Sequence, residues 1–109
     1  MTKYNHQDLT LNKIKNIIVK TVSPNKIILF GSRARGEAKS NSDYDILVIK
    51  DNLLNERVLT RKINYELLNE NIDTEIDVIA TSTEKWNKNS SDISYIYKSI
   101  ITEGIILYE

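Results

Sequence analysis

The most informative part of the sequence is LFGSRARGEAKSNSDYDILVI, from Leu29 to Ile49. It contains the end of one short apolar run, KIILF at 26–30, and most of a second run, DYDILVIK at 43–50. Short apolar runs bounded by turn residues are typical of buried strands, so both runs predict strands. The glycine and serine after the first run predict a turn, and we expect a short helix over 33–38 directly after it.

The residues before this stretch predict a helix. Thr10 is suited to cap its N-terminus, and Pro24 stops it because proline cannot continue a helix. Apolar residues at helical spacing form its inner face: Leu11, Ile14, Ile17, Ile18 and Val22.

The residues after the stretch predict a second long helix over 53–68 and a third strand over 74–80. The apolar side of this helix is formed by Leu54, Val58, Leu59, Ile63 and Leu67. Thr81, with Glu84 three residues later, predicts a capping box that opens a short helix carrying Trp86.

The C-terminal residues predict an amphipathic helix followed by a strand. The apolar positions of that helix are Ile93, Ile96, Tyr97, Ile100 and Ile101. Gly104 is placed to end the helix in a left-handed conformation, and 105–108 predicts an edge strand. The order of elements predicts an α+β (two-layer α/β) fold with helices packed on a small mixed sheet, and we expect residues 1–109 to form one domain.

Composition excludes several classes of function. The chain has no cysteine, which excludes disulfides and zinc–thiolate sites. Its 15 basic and 15 acidic residues give a net charge of zero, so bulk charge does not favour nucleic-acid binding. No apolar run approaches the ~20 residues of a membrane span, and the N-terminus lacks the apolar core of a signal peptide. We therefore expect a cytoplasmic protein that binds neither membranes nor nucleic acids directly.

Asp43 and Asp45, at the start of the second predicted strand, form the first candidate site. Alternate side chains of a strand point to the same face, so the two carboxylates point the same way, roughly 7 Å apart. A hard divalent cation would offset their repulsion, and magnesium takes such carboxylates together with substrate phosphates. The alternative is that Asp43 belongs to a turn and Asp45 is solvated.

The turn at Gly31 and Ser32 forms the second candidate site, for phosphate. Glycine lets the backbone approach a bulky anion, and serine adds a hydroxyl donor. Arg33 and Arg35 follow, and the arginine side chain is suited to binding phosphate. The alternative is a simple strand-to-helix turn capped by Ser32, with solvated arginines or with Arg35 paired to a carboxylate such as Glu37 or Asp45.

Asp77 is the third candidate, because an acidic residue stands inside the apolar run TEIDVIA. Its neighbours Ile76 and Val78 are expected to be buried, and a carboxylate among buried residues is costly unless a charge compensates it. A metal ion shared with the other two aspartates would supply that charge. Glu75, on the same face, is the alternative, but Asp77 lies deeper in the run.

These signals together resemble a known family. Gly31-Ser32 is followed by Ala34-Arg35-Gly36, by Ser42-Asp43-Tyr44-Asp45, and later by Asp77 on a strand. This order is similar to the signature of the DNA polymerase beta-like nucleotidyltransferase superfamily, and within it to the minimal nucleotidyltransferase group. The resemblance spans nearly the whole chain and implies a nucleotidyltransferase fold.

The resemblance also implies roles for these residues. Asp43 and Asp45 would ligate magnesium, with two ions expected, and Asp77 would complete the site and activate an incoming hydroxyl. Gly31 and Ser32 would hold the β and γ phosphates of a nucleotide triphosphate, with Arg35 as a helper.

Proteins of this group are often the antitoxin of a toxin–antitoxin pair. The resemblance thus implies transfer of AMP from ATP to a tyrosine of a HEPN-domain toxin. Two alternatives stay open. One is a binding antitoxin that neutralises its partner by occlusion, and the other is a transferase that modifies a small molecule of the aminoglycoside type.

Overall fold

The protein is described by a computed structural model that covers residues 2–3, 8–72, 74–89 and 95–109, with only the backbone at 2, 3, 95 and 96. Ile93 therefore lies outside the described residues, as does the side chain of Ile96. The elements along the described chain are β1 (Thr2–Lys3), α1 (Leu9–Val22), β2 (Lys26–Phe30), α2 (Ser32–Arg35), β3 (Tyr44–Lys50), α3 (Glu56–Asn69), β4 (Ile76–Ser82), α4 (Thr83–Asn89), α5 (Tyr95–Glu103) and β5 (Ile105–Tyr108).

The strands form one mixed sheet in the order β1–β5–β2–β3–β4. β2 pairs antiparallel with β3 and with β5, whereas β3 is parallel to β4 and β1 is parallel to β5. A parallel pair needs a crossover connection of about a dozen residues or more, and α3 supplies it between β3 and β4. The predicted mixed sheet and α+β class are confirmed.

β5 is not an edge strand along its whole length, contrary to the prediction. Its first residues, Ile105 and Ile106, pair with the backbone of Thr2 and Lys3 in β1. The Thr-Lys pair has no apolar alternation, so the local sequence gives no reason to predict a strand there. β1 is defined only by its pairing with β5.

Helices pack on both faces of the sheet. The first face holds a cluster made of Leu11, Ile14, Ile18 and Val22 of α1, Leu59, Ile63 and Leu67 of α3, and Ile27, Leu29, Ile46 and Val48 of the strands. On the second face, Trp86 of α4 and Ile100 of α5 join Ile28, Leu47 and Ile49. Neighbouring residues of a strand belong to different clusters because successive side chains point to opposite faces. No helix in the described part of the chain combines the length and the apolar character needed to cross a membrane.

The cap of α1 differs from the prediction. α1 begins at Leu9, and the Oδ1 atom of Asp8 accepts a hydrogen bond from the Leu11 amide at 2.9 Å. Asp8 is therefore the N-cap, and Thr10 lies within the first turn. An aspartate at this position satisfies one of the free amides at the start of a helix.

The start and the apolar side of α3 also differ from the prediction. α3 begins at Glu56, and Asn55 caps it through a hydrogen bond from the Val58 amide. Leu54 precedes the cap and is 99% exposed, and Val58 is exposed as well, so neither belongs to the buried side. That side consists of Leu59, Ile63 and Leu67.

Thr81 does not open α4. It lies in β4, where it is buried, and the helix begins after Ser82. The Ser82 hydroxyl oxygen accepts a hydrogen bond from the Lys85 amide at 3.0 Å and takes the place of the predicted cap. Glu84 instead accepts a hydrogen bond from the Asn52 amide at 3.3 Å, so the predicted capping box is absent.

The strand boundaries lie closer to the predictions than the helix boundaries. β2 has the predicted bounds, β3 begins one residue later than predicted, and β4 begins and ends two residues later. α2 is shorter than predicted because Gly36, with a φ of 75°, ends it after Arg35.

Gly104 ends α5, but without the predicted left-handed conformation. Among the glycines, only Gly31 and Gly36 have a positive φ. The Gly104 amide donates to the Ile100 carbonyl at 2.8 Å, and a Cβ at Gly104 would overlap that carbonyl and lie 2.8 Å from Cγ2 of Ile28. Glycine is needed here because a side chain would overlap the last turn of α5 and would also press on Ile28 of β2.

Replacing Gly104 with alanine should destabilise the protein. The added methyl group would overlap the Ile100 carbonyl and press on Ile28, so the backbone at the end of α5 must shift, and overpacking of this kind costs about 1–3 kcal/mol. We expect a correspondingly lower midpoint of urea unfolding, measured by circular dichroism. An unchanged midpoint would contradict the close approach described here.

Candidate active site

Asp45 and Asp77 lie side by side on the sheet. They are register partners in the parallel pair of β3 and β4, and such strands lie about 4.8 Å apart. Leu47 and Ile79, two residues further along, belong to the cluster on the second face, so both aspartates point to that face. Asp77 is exposed and Asp45 is partly exposed, so α4 and α5 leave this end of the face open.

Asp43 lies immediately before β3, one residue outside the strand in which it was predicted. It is exposed, and its charge contributes to raising the pKa of Asp45, which places the two carboxylates near each other. The Tyr44 amide donates to the Glu75 carbonyl at 3.0 Å, which joins the start of β3 to the residue before β4. The three predicted aspartates therefore meet at one end of the sheet.

The environment of Asp45 disfavours a negative charge in the absence of a cation. Partial burial raises the pKa of the Asp45 carboxyl, and the nearby charges of Asp77 and Asp43 raise it further. Arg35 acts in the opposite direction and lowers this pKa, but it is the smallest of the four causes. A bound cation would offset the repulsion that raises the pKa.

Asp77 reaches the site for a different reason from the one the sequence suggests. The prediction assumes a carboxylate buried among apolar neighbours, whereas Asp77 is exposed. Ile76 and Val78 pack against the cluster on the first face, so Asp77 points to the opposite side of the sheet. The costly burial of Asp77 that its apolar neighbours predict does not occur. Glu75, the alternative, is exposed and lies just before β4.

Gly31 lies directly against the Asp45 carboxylate. A Cβ at Gly31 would overlap Oδ2 of Asp45 and lie 3.1 Å from its Cγ. Gly31 also has a φ of 75° and a ψ of −158°, a conformation that is essentially restricted to glycine. The turn predicted to hold phosphate is thus adjacent to the carboxylates predicted to hold metal.

Ser32 is the first residue of α2 and is partly exposed. It does not cap the helix, because the cap position is Gly31. Its hydroxyl has no hydrogen-bond partner among the residues that the structure describes. The hydroxyl is therefore available to a ligand that occupies the open end of the sheet.

Arg35 is ion-paired at the edge of the site. Its Nε atom lies 2.5 Å from Oε1 of Glu37, and its Nη1 atom lies 3.2 Å from Oε2 of Glu103 in α5. These hydrogen bonds, that of Glu37 first, raise the pKa of Arg35. The side chain is 38% exposed and near enough to lower the pKa of Asp45, so it is a cation beside the carboxylates as well as a partner of Glu37.

Arg33 is directed away from the open end of the site. Its Nε and Nη2 atoms donate to the carbonyl oxygen of Ser42 at 3.0 and 2.8 Å. Its guanidinium carbon lies 4.0 Å from the centre of the Tyr44 ring. Tyr44 is buried, and its hydroxyl donates to the Asp8 carboxylate at 3.0 Å. Burial, followed by this hydrogen bond, raises the pKa of Tyr44.

The side chains fit a hard cation that also binds substrate. Over the residues described, no three His, Cys, Asp or Glu side chains are close enough to enclose a metal ion by themselves. Magnesium does not need such a cage, because it usually takes one or two carboxylates and completes its shell with water and phosphate oxygens. The mutual repulsion of Asp43, Asp45 and Asp77 and the place of Gly31 beside them match that requirement.

A cavity on the first face of the sheet lies away from the aspartates. It has a volume of about 590 Å³ and is lined by residues of α3 and by the segment before β4, including Leu67, Leu68 and Ile76. Ile76 packs on the first face, which is opposite to the face of Asp45 and Asp77. Asp43 and Asp77 are exposed, so in the part of the chain that the structure describes the candidate site is an open rim of the sheet.

Two contacts around the site have no signal in the local sequence. Glu103 is 68 residues from its partner Arg35, and Asp8 is 36 residues from its partner Tyr44. Periodicity and motif spacing report neighbours within a turn or a strand. Pairs this distant become visible only when the fold is known.

Several solved structures have a similar fold. A chain from a crystal structure of a toxin–antitoxin with AMP-PNP is 23% identical, with a TM-score of 0.65 over 89% of this chain and 71% of that chain. A chain from a toxin–antitoxin MntA-HepT structure is also 23% identical, with a TM-score of 0.55 over 94% of this chain and 72% of that one. A putative nucleotidyltransferase from Sulfolobus solfataricus is 21% identical, with a TM-score of 0.56 over 72% and 69%.

Sequence comparison gives the family directly. No curated protein is significantly similar to the chain. Residues 12–109, however, match the family described as polymerase beta, nucleotidyltransferase. This match covers all the candidate site residues, from Gly31 to Asp77, and more than half of the chain. The chain belongs to the polymerase beta nucleotidyltransferase family.

Proposed function

We propose that the protein transfers AMP from ATP to a hydroxyl group in a magnesium-dependent reaction. The observation that supports this most strongly is the pairing of Asp45 with Asp77 directly beside Gly31. Carboxylates for a metal ion and a turn for phosphates then lie within one site. Asp43, Asp45 and Asp77 would hold the metal, and Gly31 and Ser32 would bind the β and γ phosphates.

The proposed reaction forms one bond and breaks one bond. The acceptor oxygen attacks the α-phosphorus of ATP, an oxygen–phosphorus bond forms, and the bond from phosphorus to the pyrophosphate oxygen breaks. Asp77, the exposed member of the β3–β4 pair, is placed to accept the proton of the hydroxyl. Arg35 is placed to offset negative charge on the phosphates. When bound, magnesium supplies positive charge that stabilises the attacking and leaving oxygens.

The acceptor that we propose is a tyrosine of a HEPN-domain toxin, with this protein as the cytoplasmic antitoxin. The open rim supports a protein acceptor, because Asp43 and Asp77 are both exposed on it. A small acceptor such as an aminoglycoside would need a pocket beside these aspartates. The fold similarity to toxin–antitoxin structures, one of them with AMP-PNP, supports the same choice.

A transfer assay tests this proposal. The protein, ATP labelled on its α-phosphate, magnesium and the product of the neighbouring gene are combined, and label on the partner is measured and mapped to a residue by mass spectrometry. Asp77→Asn should abolish the transfer. Glu75→Gln is the matched control, because Glu75 is an exposed carboxylate two residues away and should leave transfer intact. Neutralisation of the partner by Asp77→Asn without any transfer of label would favour occlusion over catalysis.

A further inference from the structure

We propose that Arg33 is a positioning residue that fixes Asp43 relative to the turn at Gly31 and Ser32. This inference rests on the proposed function, because it concerns the geometry of the same site. Arg33 lies in α2, one residue after Ser32, while its guanidinium reaches the residue before Asp43. It therefore connects the segment predicted to hold phosphate with the segment predicted to hold metal.

The connection acts through one peptide group. Two donors of Arg33, Nε and Nη2, bind the Ser42 carbonyl oxygen at 3.0 and 2.8 Å. That oxygen belongs to the planar peptide group that also carries the Asp43 amide, so holding it restricts the orientation of the chain at Asp43. Nη2 also donates to the carbonyls of Lys39 and Ser40 at 3.5 and 3.4 Å, which ties the whole loop to α2.

The buried Tyr44 ring supports the guanidinium from the other side. The ring centre lies 4.0 Å from the guanidinium carbon, a distance at which a cation is attracted to an aromatic face. The Tyr44 hydroxyl is held in turn by Asp8, the N-cap of α1. Tyr44 stands between Asp43 and Asp45 in sequence, so its fixed ring also restricts the backbone of both.

The chemistry of this contact requires arginine. A planar guanidinium binds carbonyl oxygens along its edge while its face packs on an aromatic ring, whereas an ammonium group is a point charge that cannot do both. Arg35, two residues later, offers the contrast. It is exposed and pairs with the carboxylates of Glu37 and Glu103, and in the described structure none of its hydrogen bonds reaches a backbone carbonyl of residues 39–42.

Binding of Mn²⁺ in the absence of nucleotide, measured by electron paramagnetic resonance, tests the inference. We expect Arg33→Gln to weaken Mn²⁺ binding about 10–100-fold, the range found when a residue that orients a metal ligand is lost. Arg33→Lys should recover only part of the affinity. Arg61→Gln, which removes an exposed arginine on α3, should bind Mn²⁺ like the native protein. The amide resonance of Asp43 should shift in the Arg33 variants and stay in place in Arg61→Gln.

The outcomes separate this inference from the function on which it rests. Unchanged Mn²⁺ binding in Arg33→Gln, with weaker ATP binding, would make Arg33 a phosphate ligand and overturn the inference alone. Native protein that binds no Mn²⁺, or binds it equally after Asp45→Asn, would overturn the proposed function and the inference with it. If Arg33→Gln does not fold, Arg33→Lys decides the question, because lysine keeps the charge and the aliphatic stem. Native-like Mn²⁺ affinity of Arg33→Lys would then overturn the inference.

Discussion

Replacing Asp45 with asparagine should lower the rate of the proposed AMP transfer by about a thousandfold or more. Asp45 is the centre of the proposed site, since it pairs with Asp77 and its carboxylate lies against Gly31. A metal ion contributes several kcal/mol to such a transfer. Loss of about 4 kcal/mol of that contribution corresponds to a factor of about a thousand in rate. Single-turnover transfer of labelled AMP at saturating magnesium measures the effect.

The same substitution should stabilise the folded protein when no metal is present. Partial burial and the charges of Asp77 and Asp43 raise the pKa of Asp45, so its carboxylate is held unfavourably in the folded state. Asparagine removes the charge and keeps the shape. We expect Asp45→Asn to raise the thermal unfolding midpoint in the presence of a chelator, whereas Glu75→Gln should change neither the rate nor the midpoint. Loss of both activity and stability in Asp45→Asn would instead indicate a structural role.

Replacing Gly31 with alanine has the second largest effect, on folding as well as on activity. The backbone conformation of Gly31 costs a residue with a side chain about 1–3 kcal/mol. The added methyl group would also overlap the Asp45 carboxylate, which must move. We expect a loss of about 3 kcal/mol or more from a total stability of about 5–15 kcal/mol, measured by urea unfolding. Transfer activity should be lost even under conditions in which the variant is folded.

Gly36 provides the matched control for Gly31. It has the same φ of 75°, but it lies at the other end of α2 and a Cβ there meets nothing within 4 Å. Gly36→Ala should therefore cost only the left-handed backbone conformation, about 1–2 kcal/mol. The folded variant should keep its transfer activity. Equal losses of activity in the two variants would contradict the special position of Gly31 beside Asp45.

Elements that depend on short patterns are predictable from the sequence. The bounds of β2 follow from one β-branched run between turn residues, and the alternation of faces along β3 follows from the two-residue period of strands. The pairing of Asp45 with Asp77 depends on the register of β3 and β4, which neither local pattern specifies. Helix starts are less predictable because several neighbouring residues are able to cap. At the start of α1, Asp8 and Thr10 are both acceptable caps, and in the structure Asp8 occupies the cap position.

The role of a single residue is hard to predict because it depends on which face of the sheet its side chain points to and on whether that face is covered. Asp77 stands among apolar residues in sequence. The side chains of those neighbours pack on the first face of the sheet, whereas Asp77 lies at the open end of the second face. Arg33 and Arg35 are similar in sequence, but one binds loop carbonyls and the other binds carboxylates. The sequence predicts which residues form the site, but their individual partners depend on contacts between distant segments.

The crossover through α3 makes catalytic competence a property of the whole fold. Asp45 and Asp77 become neighbours only when the chain between them leaves the sheet, packs its helix against α1 and returns alongside. Neither a fragment that ends before β4 nor one that starts after β3 contains both carboxylates. Proteolytic cleavage within this connection, followed by separation of the two fragments, would therefore abolish activity without changing any residue of the site. Enzymatic turnover would then report directly on the integrity of the crossover.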